Sequence, residues 1–186
     1  NFEENTNYDL FGTFKFDTRY PLQKTLENYI HYFTPVASFM YSPNGNSDIA
    51  TKDILLNYNN VFSINRIGTD HQVEGGESLS LGLEFKRKDI NEKDILDFKI
   101  ANVLKPKENY KLPVKSKLNK TRSDIFGNFN YNINENLKFG YFFSHDRDLK
   151  YSNLEQYNLD YKVNNFITSF SYYSEDHDVG NKENAK

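Results

Sequence analysis

The sequence predicts an all-β fold: an antiparallel, up-and-down transmembrane β-barrel, present as a partial barrel of about eight strands with long external loops. Three observations predict it. Apolar side chains recur at every second position through most of the chain, the period of a pleated strand with one apolar face. The connections between these segments alternate between short and long, an asymmetry typical of outer-membrane barrels and without a physical cause in a soluble meander. The polar positions carry Asn, Ser, Thr, Asp and Gly beside Lys, as a wet barrel interior would. A soluble sandwich turns its polar faces to bulk water and fills them mainly with Lys and Glu. In a bilayer every backbone group has to be paired, so a closed barrel is the only β solution.

The first strand covers Tyr8–Leu22, with Tyr8, Leu10, Phe14, Phe16 and Tyr20 on one face and Asp9, Lys15, Asp17 and Arg19 on the other. Read as a helix, it would put charge on every side. The second has Phe33, Ala37, Phe39 and Tyr41 on one face. The third sets Leu79, Leu81, Leu83 and Phe85 against Ser78, Ser80, Gly82 and Glu84. Leu96, Phe98 and Ile100 mark the fourth, and Ile125, Gly127, Phe129, Tyr131 and Ile133 the fifth. Leu137, Phe139, Tyr141 and Phe143 mark the sixth, and Tyr157, Leu159, Tyr161 and Val163 the seventh. The eighth is Phe166–Tyr173, whose better face is Phe166, Phe170 and Tyr172. No amphipathic helix emerges; Asp53–Asn60 alone could form a turn of one.

Lys86–Asp94, Asn134–Asn136 and Asn164–Asn165 are short connections, and Ser42–Gly76 and Lys105–Thr121 are long. Short turns therefore gather at one end, and the even-numbered strands run outward. Composition agrees. The chain has 186 residues, 16 Phe, 14 Tyr, no Cys and a mean hydropathy of −0.79. No apolar run is long enough for a membrane helix. The 25 Asn favour turns and polar β faces. Without Cys there is neither a disulfide nor thiol chemistry. A net charge of −3 and a pI near 5.8 argue against nucleic acid as a partner. The absence of an initial Met and of a signal sequence suggests an internal excerpt or a processed chain.

Candidate chemistry is sparse. His145-Asp146-Arg147-Asp148 and Glu175-Asp176-His177-Asp178 fall in outward loops; no calcium-loop spacing is present, so solvated loops are the expectation over a metal site. Asp70 and Glu74 could pair as acid and base, but no nucleophile or oxyanion site accompanies them. No phosphate loop or Gly-x-Ser-x-Gly turn occurs. The chain is therefore expected to be no enzyme and to need no cofactor or metal. The basic run Lys105, Lys107, Lys111, Lys115, Lys117, Lys120 and Arg122 reads as a solvated loop or as an attractor of anionic head groups.

The segment Asn60–Gly76 mixes Phe62, Ile64 and Ile67 with Arg66, Asp70 and Glu74, unlike a free external loop. It is expected to fold back into the lumen, with Arg66 paired to Asp70 or Glu74 and with Gly68, Gly75 and Gly76 supplying turns of positive φ. The structural and luminal candidates are Asn65, Arg66, Gly68, Asp70, Glu74, Gly75 and Gly76.

Three blocks carry a family resemblance: Thr34-Pro35-Val36-Ala37 through Ser42-Pro43-Asn44-Gly45-Asn46; Asn60-Val61-Phe62-Ser63-Ile64-Asn65-Arg66-Ile67-Gly68-Thr69-Asp70 with Val73-Glu74-Gly75-Gly76; and Arg122-Ser123-Asp124-Ile125-Phe126-Gly127. In order and spacing they resemble LptD, the LPS-assembly outer-membrane protein family, with His71 standing where that family often has Arg. The resemblance implies that residues 1–186 are a middle part of its barrel domain, without its N-terminal jellyroll and closing strands. It further implies a translocon in the outer membrane of a Gram-negative bacterium, which inserts lipopolysaccharide into the outer leaflet without covalent chemistry. The partners implied are lipopolysaccharide, an LptE-like lipoprotein plug and a periplasmic bridge protein. The alternatives are another outer-membrane barrel, such as a porin or nutrient channel, or a soluble ligand-binding β-barrel.

Overall fold

A computed structural model describes residues 12–43, 48–52, 54–68, 74–175 and 182–185. Its strands are β1 (Phe14–Arg19), β2 (Leu22–Thr25), β3 (Tyr29–Ser42), β4 (Gly76–Asp89), β5 (Asp94–Leu104), β6 (Ile125–Asn132), β7 (Leu137–His145), β8 (Ser152–Val163), β9 (Phe166–Glu175) and β10 (Lys182–Ala185). They form one antiparallel sheet in which each strand neighbours the next, with β1 and β2 both on β3. The sheet is open: β1 lies at one edge and β10 at the other. This is the architecture of a partial up-and-down barrel.

Two elements differ from the sequence expectation. The first strand is broken between Arg19 and Leu22, because Pro21 has no N–H for the ladder. Tyr20 N still donates to Pro35 O at 3.1 Å, so the break is a kink and not an end. The Tyr8–Leu10 part of that strand lies outside the described residues. At the other end β10 adds to β9, in a short polar stretch with no apolar alternation to announce it.

The register separates the two faces. One row of paired residues crosses seven strands on the outward face: Phe33, Phe85, Phe98, Phe129, Tyr141, Tyr157 and Tyr172. On β4 this row lies near the short-turn end, and on β9 near the long-loop end, as tilted strands require. Its phenylalanines give way to tyrosines toward the long-loop end, where a hydroxyl can reach polar head groups. On β4 the outward positions between Glu77 and Arg87 are Leu79, Leu81, Leu83 and Phe85. Ten residue steps of about 3.4 Å, on a strand tilted about 40°, rise roughly 26 Å, the height of a bilayer's apolar band. Phe14 and Phe16, both 60% exposed or more, extend this outward face to the first edge.

The opposite, inward face carries Lys15, Asp17, Ser38, Ser78, Ser80, Glu84, Lys99, Asn128, Asn130 and Asn158. The buried core is not between two sheets. It lies on this inward face, where Ile49, Leu56, Tyr58, Val61, Ile67, Leu112 and Leu118 from two loops meet Ala101, Val103 and Phe126 from strands. No described helix is long and apolar enough to cross a membrane.

Candidate functional site

The long connections after β3 and β5 fold over the inward face. Sequence accounts for this locally: each carries apolar residues at irregular spacing, too few for a strand and too many for free solution. The two loops are also bonded to each other. Leu56 N donates to Ser116 Oγ at 2.9 Å, and Ile49 N to Lys111 O at 2.9 Å. Ser116 holds φ +63°, a left-handed conformation that turns its hydroxyl into this contact.

At the junction sits a buried charge cluster. Arg66 grips Glu74 with two parallel bonds, Nε to Oε2 at 2.5 Å and Nη2 to Oε1 at 2.7 Å. Arg66 Nη1 donates to Ser80 Oγ at 2.7 Å and to Val61 O at 3.4 Å, and Nη2 to Ser78 Oγ at 2.8 Å. All five guanidinium N–H groups therefore have acceptors, which is what allows the group to sit 2% exposed. Lys105 Nζ forms a second ion pair to Glu74 Oε1 at 2.5 Å. Burial of Glu74 alone would raise its pKa. The Arg66 guanidinium, and then Lys105, outweigh this and hold the carboxyl below the usual range. The cluster thus ties the first loop (Arg66), β4 (Ser78, Ser80) and the start of the second loop (Lys105) into one unit.

A second set of contacts lies further down the same face. Tyr58 donates to Glu84 Oε1 at 2.7 Å, and Arg19 pairs with that oxygen at 3.0 Å. Phe62 packs edge-on against Tyr58 and lies over Gly82. Beyond β6, Asp124 accepts from Asn153 Nδ2 at 2.7 Å and Ser144 Oγ at 3.2 Å, and Lys115 pairs with Glu175.

Of the sequence candidates, Arg66 and Glu74 come together. Asp70 lies outside the described residues, so Glu74 is the carboxylate placed on Arg66. Gly68 and Gly76 adopt φ +67° and +91°; Gly75 is buried, without a positive φ. Asn65 is exposed and shapes the turn, its carbonyl accepting from Gly68 N at 3.2 Å. Glu74 is enclosed in its ion pairs and has no free face for acid–base work. Asp146 and Asp148 are used within the 146–151 turn, where Asp148 N donates to Asp146 Oδ2 at 3.1 Å.

The basic run does not act as one patch. Lys105 and Lys115 enter ion pairs, while Lys117, Lys120 and Arg122 line a cleft at the outer rim. Ser78, Ser80 and Tyr58 were not among the sequence candidates, and Lys105 was read only as part of the basic run, not as a partner of Glu74. The alternation of Ser78 and Ser80 with Leu79 and Leu81 placed them on the inward face but did not show what they would bind.

Comparison with known proteins agrees with this architecture. No curated protein sequence matches the chain. Residues 3–186 match the family described as LptD, LPS transport system D. The match spans almost the whole chain and coincides with an all-β sheet that is apolar outside and polar inside. The chain therefore belongs to the LptD family of outer-membrane lipopolysaccharide-transport proteins.

Proposed function

We propose that this chain forms part of the wall of an outer-membrane translocon that moves lipopolysaccharide into the outer leaflet, without covalent change to the lipid. Family membership supports a role in lipopolysaccharide transport. The observation that carries the finer reading is the Arg66–Glu74–Lys105 cluster, which holds two loops across the inward face. A wall that passes an amphipathic lipid has to present a polar path and still keep its loops from collapsing into it. A locked loop pair over a polar face serves both needs. In this reading residues 1–186 belong to one barrel domain. Lipopolysaccharide is the cargo, an LptE-like lipoprotein fills the rest of the lumen, and a periplasmic bridge delivers the lipid.

The test is Arg66→Ala in the full-length parent protein. Folded barrel is read by heat-modifiable gel mobility, and surface lipopolysaccharide by labelling of whole cells. The expected result is less mature barrel, with export falling in proportion. Normal maturation together with wild-type export would remove this role from the loop pair.

A further inference from the structure

The cleft between the second loop and the 146–151 turn is not used by the architecture above. Its volume is about 370 Å³, within the size range of small-ligand sites. Lys117, Lys120, Arg122, Arg147 and Lys150 line it, against Glu108, Asp146 and Asp148. Among the described residues that line it cations outnumber carboxylates, in a chain whose net charge is −3. The acids are also engaged. Glu108 is held by Tyr110 and by Lys120 at 3.3 Å, and Asp148 lies 3.9 Å from Arg147 and 4.0 Å from Lys150. Among the described residues Arg122 has no carboxylate partner, and its planar fork suits a phosphate.

The frame of the cleft is ordered. Arg122 is anchored by its bridge to Leu104, and Lys120 N donates to Lys117 O at 3.0 Å. Asp146 N donates to Tyr151 O at 3.0 Å, and Leu149, at φ +55°, donates to Asp146 O at 2.8 Å. The cleft opens at the long-loop end, beyond the outward apolar band. Tyr151 and Val114 on its wall offer an apolar surface beside the charges, as a sugar ring needs.

We propose that this cleft binds the phosphate of a phosphorylated saccharide, with Arg122 as the principal contact and Arg147 and Lys150 as supporting cations. The identity of the saccharide as a glycolipid head group rests on the transport reading above. The binding itself does not. The probes are glucose 1-phosphate, glucose and inorganic phosphate, titrated calorimetrically onto the full-length protein in detergent. Glucose 1-phosphate should bind, and glucose should not. Raising salt from roughly 50 to 300 mM should weaken binding severalfold. Arg122→Ala should weaken it at least about tenfold, with Arg122→Lys intermediate because it keeps the charge and loses the fork. Lys150→Ala, at an exposed position where folding is not at stake, should weaken it less.

A second arm uses lipopolysaccharide micelles before and after phosphatase treatment. Loss of Arg122-dependent binding on dephosphorylation would assign the site to the lipid head group. Retention of glucose 1-phosphate binding with no discrimination between the two micelles would assign it to a free sugar phosphate. Inorganic phosphate binding as tightly as glucose 1-phosphate would mean an adventitious anion only, and would overturn the proposal. So would wild-type affinity in Arg122→Ala. Neither result touches the export test of Arg66→Ala, so the two readings fail separately.

Discussion

Phe62 rests directly on Gly82. A Cβ built on Gly82 would lie 2.5 Å from Phe62 Cζ and 3.2 Å from Ile100 O, so only glycine lets the ring reach the sheet. This contact seats the first loop on the middle of β4, while Arg66 seats it near the strand's start. Gly82→Val is compatible with a strand but expels the ring, and is expected to cost about 1–3 kcal/mol. The loop over 54–68 should become protease-sensitive while the sheet signal in circular dichroism stays. Adding Phe62→Ala to Gly82→Val should recover part of the loss. A double variant no better than the single one would mean that the steric contact is not the cause.

Glu74→Gln leaves two buried cations facing a neutral amide. Breaking a buried pair by removing one partner costs about 3–5 kcal/mol. The expected outcome is a lower urea midpoint for the full barrel in detergent, and release of both loops together, because Arg66 and Lys105 share Glu74. Release of the first loop alone would show that Lys105 does not couple them.

The pH dependence follows from the lowered Glu74 pKa. A carboxyl with a depressed folded pKa contributes stability that is present above its unfolded pKa of about 4.3 and lost as pH falls through the folded value. Protease resistance of the loop pair should therefore be flat from about pH 7 to pH 5 and decline only below the ordinary carboxylate range. A decline centred near neutral pH would point to another group.

The two faces can be told apart by charge. Phe139 is outward, in the row of Tyr131 and Leu159, and Asn130 is inward, opposite Gly140. Phe139→Lys is expected to destabilise the barrel by about 2–4 kcal/mol near the bilayer midplane, and Asn130→Lys by much less. Equilibrium unfolding in lipid vesicles measures both. Equal costs would contradict the assignment of faces.

Strand content was legible because a two-residue period needs no partner to be seen. Leu79-Ser80-Leu81 states a face whatever pairs with it. The packing of residues 60–68 on the inward face was foreshadowed by composition, since Phe62 and Ile67 gain by leaving water and an Arg66 buried with them needs a carboxylate. The break at Tyr20–Pro21 was written in Pro21 but was masked by the unbroken alternation around it.

By itself, then, the sequence determined which side chains share a face, which connections are long, and that Arg66 required a carboxylate. These are local facts, set by the pleat and by the cost of burying charge. Tertiary structure alone decided the rest: that Ser78, Ser80 and Lys105 complete the Arg66–Glu74 cluster, and that one basic run divides between that cluster, an ion pair with Glu175 and a rim cleft. Those outcomes depend on how two loops, separated in sequence by β4 and β5, are brought onto one sheet. No periodicity within either loop encodes that encounter, because its partners lie on strands whose register is set elsewhere in the chain.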